Sequence, residues 1–250
     1  MIQVVCVKQV PDTETRVKVA ADGRNLDPAG VTWVLNPYDE YAVEQALRVR
    51  EQQGGGEIVA VSIGGASVPT ALREVLALGA DRAVHLTTGV AAPDPLSLAR
   101  ALVAELRGLN ADLVWFGKQA VDDDQAQVGP MVAELLGLPC ATVAATFALA
   151  EGRITVEREV EVGREVVELP LPAVITAEKG LNEPRYASLK GRMAAKKKAI
   201  EERPAELGAP ALEVVALELP PARPAGRIVG QGAEAVAELV RALRDDAQVL

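Results

Sequence analysis

The chain has 250 residues, 49% of them apolar and 24% charged, with a net charge of −9. That size and apolar content can fill one large α/β domain with extensions, or a domain with a small lobe. The acidic balance excludes a general nucleic-acid binder, because a phosphate backbone demands a basic surface; the run Lys196-Lys197-Lys198 is too local to change this.

No stretch approaches about 20 uninterrupted apolar residues, so the chain is not expected to be embedded in a membrane. The first residues lack a basic region followed by an apolar run and cleavage site, so no secretory signal is expected. No presequence precedes Met1, which points to the bacterial cytoplasm. Cys6 and Cys140 sit in apolar surroundings and read as buried free thiols, which suits a reducing compartment.

In chain order, residues 2–7 form a short apolar β-branched run, the mark of a strand buried on both faces. Residues 37–52 read as a helix with Asn36 as N-cap, Pro37 in the first turn, and Gly54-Gly55-Gly56 ending it. Residues 57–63 are the next buried strand and 68–78 a helix closed by Gly79. Strand 83–86, helix 94–106, strand 112–116 and helix 125–136 follow. This order predicts a mostly parallel, doubly wound, Rossmann-like sheet with helices on both faces. Ligands of such sheets sit beyond the carboxyl ends of the strands, which singles out the loops after Val7, Ile63 and Phe116.

After residue 141 the pattern changes. Residues 141–149, 153–162 and 164–169 read as antiparallel strands joined at Glu151-Gly152 and at Gly163, and 171–176 as one more apolar strand. Residues 178–190 have no periodicity, 191–202 read as a basic helix, and 204–227 as a Pro- and Ala-rich extended arm. Residues 233–243 form a final amphipathic helix. An arm with so few apolar clusters is expected to lie along a partner. The expected organisation is an α/β domain over 1–176, a recognition loop and basic helix over 177–203, and a C-terminal arm and helix over 204–250.

The most informative stretch runs from Leu113 to Pro130: strand, glycine turn, Asp122-Asp123-Asp124, then helix start. Main-chain amides at a helix N-terminus favour an anion. Gln125 and Gln127 offer further donors, and Gly129 offers close approach. Three aspartates are awkward beside a phosphate; they cap the helix, orient the loop, or hold ribose hydroxyls. There is no GxGxxG and no GxxxxGK[ST]. His85, the only histidine, receives no proton-transfer role.

Four segments, in order, resemble electron-transfer flavoprotein β subunits and the related FixA-type proteins. They are Val7-Lys8-Gln9-Val10-Pro11-Asp12, Asn36-Pro37-Tyr38-Asp39-Glu40-Tyr41-Ala42-Val43-Glu44, Gly117-Lys118-Gln119-Ala120-Val121-Asp122-Asp123-Asp124 and Leu181-Asn182-Glu183-Pro184-Arg185-Tyr186-Ala187-Ser188-Leu189. The resemblance implies an electron carrier without catalytic residues or metal. It works as a heterodimer with an α subunit, which holds most of the FAD, while this chain buries an AMP. The implied AMP pocket comprises Cys6, Asn36, Pro37, Tyr38, Asp39, Ile63, and the loop Ala120, Val121, Asp122, Asp123, Asp124, Gln125, Ala126, Gln127, Val128, Gly129, Pro130 and Met131.

The same resemblance makes Glu183, Pro184, Arg185, Tyr186 and Leu189 a docking segment for acyl-CoA and other dehydrogenases, with Leu189 as anchor and Lys196, Lys197 and Lys198 as flanking charge. The electrons would leave to a quinone oxidoreductase. Thr13 and the stretch from Gln125 to Pro130 lean instead towards the FixA and bifurcating branch, where a second FAD takes the AMP place. The retained Asp-Asp-Asp favours AMP. A stand-alone adenine-nucleotide protein of the stress type is the reading from another class, and the arm and the Leu-Asn-Glu-Pro-Arg-Tyr segment speak against it.

Overall fold

Nine strands form one sheet in a computed structural model that describes residues 1–222 and 225–250. In chain order the strands and helices are β1 (Ile2–Cys6), β2 (Gln9–Pro11), β3 (Trp33–Leu35), α1 (Pro37–Gln52), β4 (Glu57–Gly64), α2 (Pro69–Leu78), β5 (Arg82–Thr87), α3 (Pro95–Leu109), β6 (Leu113–Gly117), α4 (Val128–Leu136), β7 (Cys140–Ala150), β8 (Arg153–Val160), β9 (Gly163–Pro170), β10 (Ala173–Ala177), α5 (Leu189–Ala195), β11 (Ile200–Pro204) and α6 (Val236–Arg241). The spatial order of the large sheet is β11-β5-β4-β1-β6-β10-β7-β8-β9. From β11 to β7 every pairing is parallel; only β7–β8 and β8–β9 are antiparallel.

Helices cover both faces because the central strands are apolar on both. Val5, Ile58, Ala60, Trp115 and Ile175 pack on one side with Leu47 of α1 and Leu72 and Val75 of α2. Val4, Val59, Val84, Val114 and Val174 pack on the other with Leu102 and Val103 of α3 and Val132 of α4. Period-2 alternation within each apolar strand divides the two cores. Pro37, Pro69 and Pro95 each open their helix, where the missing N–H costs nothing. Within the first core, Trp115 Nε1 donates to Gln3 Oε1 at 3.0 Å, and Gln3 Nε2 donates to the Ala46 carbonyl at 2.9 Å, so both buried polar side chains are satisfied.

The structure bears out the apolar strand expected at 171–176 and corrects other expectations. Strand β10 runs parallel between β6 and β7; its run Ala-Val-Ile-Thr-Ala is buried throughout, as a central strand requires. The second hairpin turn falls at residues 161–162, and Gly163 already belongs to β9. The basic helix stops at Ala195, and residues 200–204 leave it to pair with β5 as an edge strand. Helix α4 begins at Val128, three residues later than expected. The antiparallel pair β2–β3 is too short to show in the sequence.

The chain divides into two compact units, Met1–Leu217 and Glu218–Leu250. The expected arm straddles them, and its residues 223–224 lie outside the described residues. Up to Leu217 it is fastened to the main unit, contrary to an arm without footing on its own chain. Ala205 N donates to the Thr87 carbonyl, Ala211 N to Asp94 Oδ2 and Leu217 N to the Gly23 carbonyl. The second unit contains α6, preceded by a 3-10 turn at Ala233–Ala235 and continued by a π turn at Ala242–Asp246; none of its described residues is buried. Among the described residues no helix is long and apolar enough to cross a membrane.

The position of β10 in the centre of the sheet has a measurable consequence. Ile175 is fully buried, so Ile175→Ala should lower stability by about 2–5 kcal/mol in urea unfolding; a loss below about 0.5 kcal/mol would mean that β10 is not packed there.

Candidate functional site

Strand β1 is followed in sequence by β4 on one side and later by β6 on the other. Crevices of open parallel sheets form at such a reversal. The short β2–β3 pair delivers the start of α1 to this point: Gln9 pairs with Leu35, and Asn36 N donates to the Lys8 carbonyl at 3.0 Å.

Two residues at the start of α1 then tie the strand ends together. Asp39 is buried; its Oδ2 accepts from the amide of Lys8 at 2.6 Å and its Oδ1 from the amide of Gly117 at 3.0 Å. One carboxylate thus bridges the ends of β1 and β6. Burial pushes the Asp39 carboxyl up to about 7, against the opposing pull of its hydrogen-bond donors, the Lys8 amide foremost. Asn36 occupies the N-cap position but makes no side-chain cap to its helix. Its Nδ2 donates to the Gln119 carbonyl at 2.8 Å and its Oδ1 accepts from the Val121 amide at 3.2 Å. The residue expected to cap α1 instead fixes the loop after β6.

That loop also resolves the crowding of negative charge. Lys8 Nζ lies 2.7 Å from Asp122 Oδ1 and 2.9 Å from Asp123 Oδ2. Burial opposes the Lys8 charge, but Asp122 and then Asp123 outweigh it and raise its pKa. Asp123 Oδ1 also accepts from the Gln125 amide, and Asp124 Oδ1 accepts from Gln119 Nε2 at 2.6 Å. The aspartates orient the loop; α4 opens at Gln127 with no side-chain cap. Asp124 and Ala126 hold positive φ, 52° and 53°, a conformation that costs a residue with a side chain about 1–2 kcal/mol. The loop delivers the first amides of α4, which have no intrahelical acceptor.

Gly117 and Gly129 are both required by close approach. A Cβ on Gly117 would meet Asp39 Oδ1 and lie 2.7 Å from the Tyr38 carbonyl carbon. A Cβ on Gly129 would lie 2.8 Å from Thr176 Cγ2 and 3.4 Å from Phe116, so this glycine seats α4 on the sheet rather than making room for a phosphate. Cys6 is buried at the end of β1 with its thiol pKa pushed up, by burial first and then by Asp39. Ile63 lies half-buried beside the second core. Pro37 and Tyr38 begin α1, and Lys118 Nζ stands 5.9 Å from the Tyr38 ring centre. Val128, Pro130 and Met131 form the first turn of α4.

The residues named from sequence for this crevice therefore gather around the ends of β1, β4 and β6. Sequence reasoning missed Lys8, Gly117 and Gln119 as site residues; the signal for Lys8 was its place one residue beyond an expected strand end, opposite an acidic loop. A separate cleft of ≈ 380 Å³ lies at the ends of β4 and β5, lined by residues that include Gly64, Pro69, His85, Thr88 and Glu202. It contains none of the named residues. His85 Nε2 faces the Gly64 carbonyl at 3.0 Å.

The expected docking segment is a second, distinct surface. Tyr186 is 97% and Leu189 79% exposed, so both apolar faces are presented outward. Ser188 caps α5 by accepting from the Gly191 amide. Lys196 and Lys197 are exposed. Lys198 departs from the expected role: its Nζ donates to the Ala80 carbonyl at 2.6 Å. Arg185 departs as well, for its guanidinium is turned onto Glu44 and Glu51 of α1.

An open, mostly parallel sheet with helices on both faces and its strand ends tied at the switch point defines an α/β protein of the Rossmann-like class. Comparison narrows the class. The electron transfer flavoprotein domain model matches residues 25–207. The chain is 43% identical to the mitochondrial electron transfer flavoprotein subunit beta of Oryza sativa subsp. japonica, over 98% of both chains. It is 38% identical to the subunit beta of Bacillus subtilis, again over 98% of both, and 41% identical to that of Homo sapiens, over 94% of this chain and 95% of the other. The chain belongs to the electron transfer flavoprotein family, on the β-subunit side. Such subunits serve electron transport as one part of a flavoprotein and are carriers, not enzymes in the ordinary sense.

Two outcomes test the crevice. Gly117→Ala should destabilise by about 1–3 kcal/mol, whereas Gly65→Ala, where a Cβ meets nothing within 4 Å, should be neutral in the same urea titration. The folded chain holds a proton on Asp39 up to about 7, while the unfolded chain releases it near about pH 4. The folded state binds the extra proton across that window, so this group's contribution to stability falls as pH rises through it. Asp39→Asn removes this titration, though it turns a donor onto one of the two amides, and should shrink the difference in thermal midpoint between pH 5 and pH 8; an unchanged difference would contradict the assignment.

Proposed function

We propose that the chain works as the β half of a heterodimer with an α subunit that holds most of an FAD. This heterodimer takes electrons from acyl-CoA dehydrogenases and other flavin dehydrogenases and hands them to a quinone oxidoreductase. What carries this reading is identity of about 40% running over nearly the whole chain to relatives named as β subunits. It covers the crevice, the exposed segment and the C-terminal unit together.

The residues at the strand ends fit an adenylate. The uncommitted first amides of α4 suit a phosphate. Backbone strain at Asp124 and Ala126 is of the kind stored at ligand sites. Lys8 offsets part of the charge of Asp122 and Asp123 and turns both carboxylates onto its ammonium. Cys6 and Ile63 supply apolar wall. In this reading Asn36 and Asp39 shape the loop and strand ends, and AMP is a structural ligand. The FAD supplies the redox chemistry when bound; this chain closes the flavin site and docks the donor. Leu189 and Tyr186 enter an apolar recess on the dehydrogenase, with Lys196 and Lys197 steering towards acidic surfaces. The Glu218–Leu250 unit lies along the α subunit and covers its exposed apolar residues there. The compartment is the bacterial cytoplasm.

Thr13 and the run from Gln125 to Pro130 favour a second reading, in which another FAD takes the adenylate's place and the dimer bifurcates electrons. The flavin count per purified dimer separates the two: one supports AMP, two supports the second reading, and none defeats both. Leu189→Ala should slow reduction of the dimer by a dehydrogenase at least about tenfold, as loss of a central apolar anchor typically costs about 2 kcal/mol, with flavin content unchanged. Unaltered donor kinetics would remove the docking assignment.

A further inference from the structure

Arg185 sits one residue before the most exposed aromatic side chain of the segment, yet four of its five N–H donors are already engaged. Its Nε donates to Glu44 Oε2 at 2.7 Å and its Nη2 to Glu44 Oε1 at 3.1 Å. Its Nη1 donates to Glu51 Oε1 at 2.6 Å, and Nη2 also reaches Glu51 Oε2 at 3.1 Å. Both carboxylates stand on α1, and Glu44 is buried. Burial raises the Glu44 pKa, but the bonds from Arg185 and Arg48 outweigh it and hold the carboxyl below its ordinary range. A guanidinium held by two bidentate carboxylates is planar, charge-assisted and fixed in direction.

The same stretch is gripped again on either side. Asn182 is buried and its Nδ2 donates to the Tyr41 carbonyl at 2.9 Å and to Gln45 Oε1 at 3.1 Å; Arg48 Nη2 donates to the Glu183 carbonyl at 3.3 Å. Upstream, Lys118 Nζ pairs with Glu178 at 2.7 Å. Downstream, Arg73 of α2 donates to the carbonyls of Ala195 and Lys198 at the end of α5. Helix α1 therefore carries the crevice residues at its start and the grip on this segment along its length.

We propose that Arg185 is a positioning residue that never meets the partner: its bridge to Glu44 and Glu51 fixes the segment on α1, so that Tyr186 and Leu189 stand preformed before a dehydrogenase arrives. This rests on the reading of the segment as the docking surface. A preformed surface spares the ordering cost that a mobile loop incurs on binding. Lysine cannot replace this arginine, because a point charge cannot hold two carboxylates in bidentate fashion.

The test uses the purified αβ complex with Arg185→Ala, Arg185→Lys, the pair Glu44→Gln and Glu51→Gln, and the combination. Hydrogen exchange on the complex alone should show protection of the residue 185 amide, which donates to Glu44 Oε2 at 3.3 Å, lost in all variants, with flavin content unchanged. Donor KM should rise about tenfold at constant kcat in Arg185→Ala and in the Glu44/Glu51 pair, and the two factors should not multiply when combined. A raised KM in Arg185→Ala with a normal KM in the Glu44/Glu51 pair would make Arg185 a direct partner contact and overturn the proposal. Retained protection in Arg185→Ala, or lost protection with an unaltered KM, would overturn it too. The exchange arm decides the clamp even if Leu189→Ala leaves donor kinetics untouched, so failure of the docking reading is separable.

Discussion

One carboxylate decides the geometry of this protein. Asp39 accepts from the amides of Lys8 and Gly117, which end two neighbouring strands whose paths then diverge. Strand ends at a reversal point have amides that no further sheet partner can satisfy, and leaving them buried and unpaired would be costly. A side chain delivered from the start of α1 meets that need. Gly117 is glycine because the carboxylate and the Tyr38 backbone come too close for a Cβ.

The rest of the site is built outward from that tie. Asn36, three residues before Asp39, pins the loop after β6 through its carbonyl at Gln119 and its amide at Val121. Lys8, whose amide is held by Asp39, turns its ammonium to Asp122 and Asp123 of the same loop. Backbone and side chain of one residue thus serve opposite walls. Further along α1, Glu44 and Glu51 hold Arg185. A single helix links the crevice with the segment that faces outward, which gives the helix a reason to be long and rigid beyond filling the core.

The sequence shows the fold where periodicity is strong. The bounds of α1 from Pro37 to Gln52 are legible from its proline, its apolar face and the triple glycine beyond it. It misleads where a residue type has two uses. Asn36 reads as a cap because asparagine before a helix usually is one, but the loop after β6 offers it better partners. Gly129 reads as room for a ligand, but the room is filled by Thr176 and Phe116. Arg185 reads as an exposed contact because nothing local reveals two carboxylates on a helix more than a hundred residues earlier. The same non-locality hides β10 and β11: their sequences say strand or helix end, and only the sheet decides their neighbours. The physical roles of Asn36, Lys8 and Gly129 needed the geometry.

The account stands or falls on what the crevice holds. The most direct measurement is the mass of the nucleotide released when the αβ complex is denatured, for the natural chain and for Asn36→Leu, which removes both bonds to the loop after β6. The account predicts one AMP per dimer from the natural complex and a large loss from the variant at unchanged FAD content. Release of no AMP from the natural complex, or equal AMP from both, would contradict it.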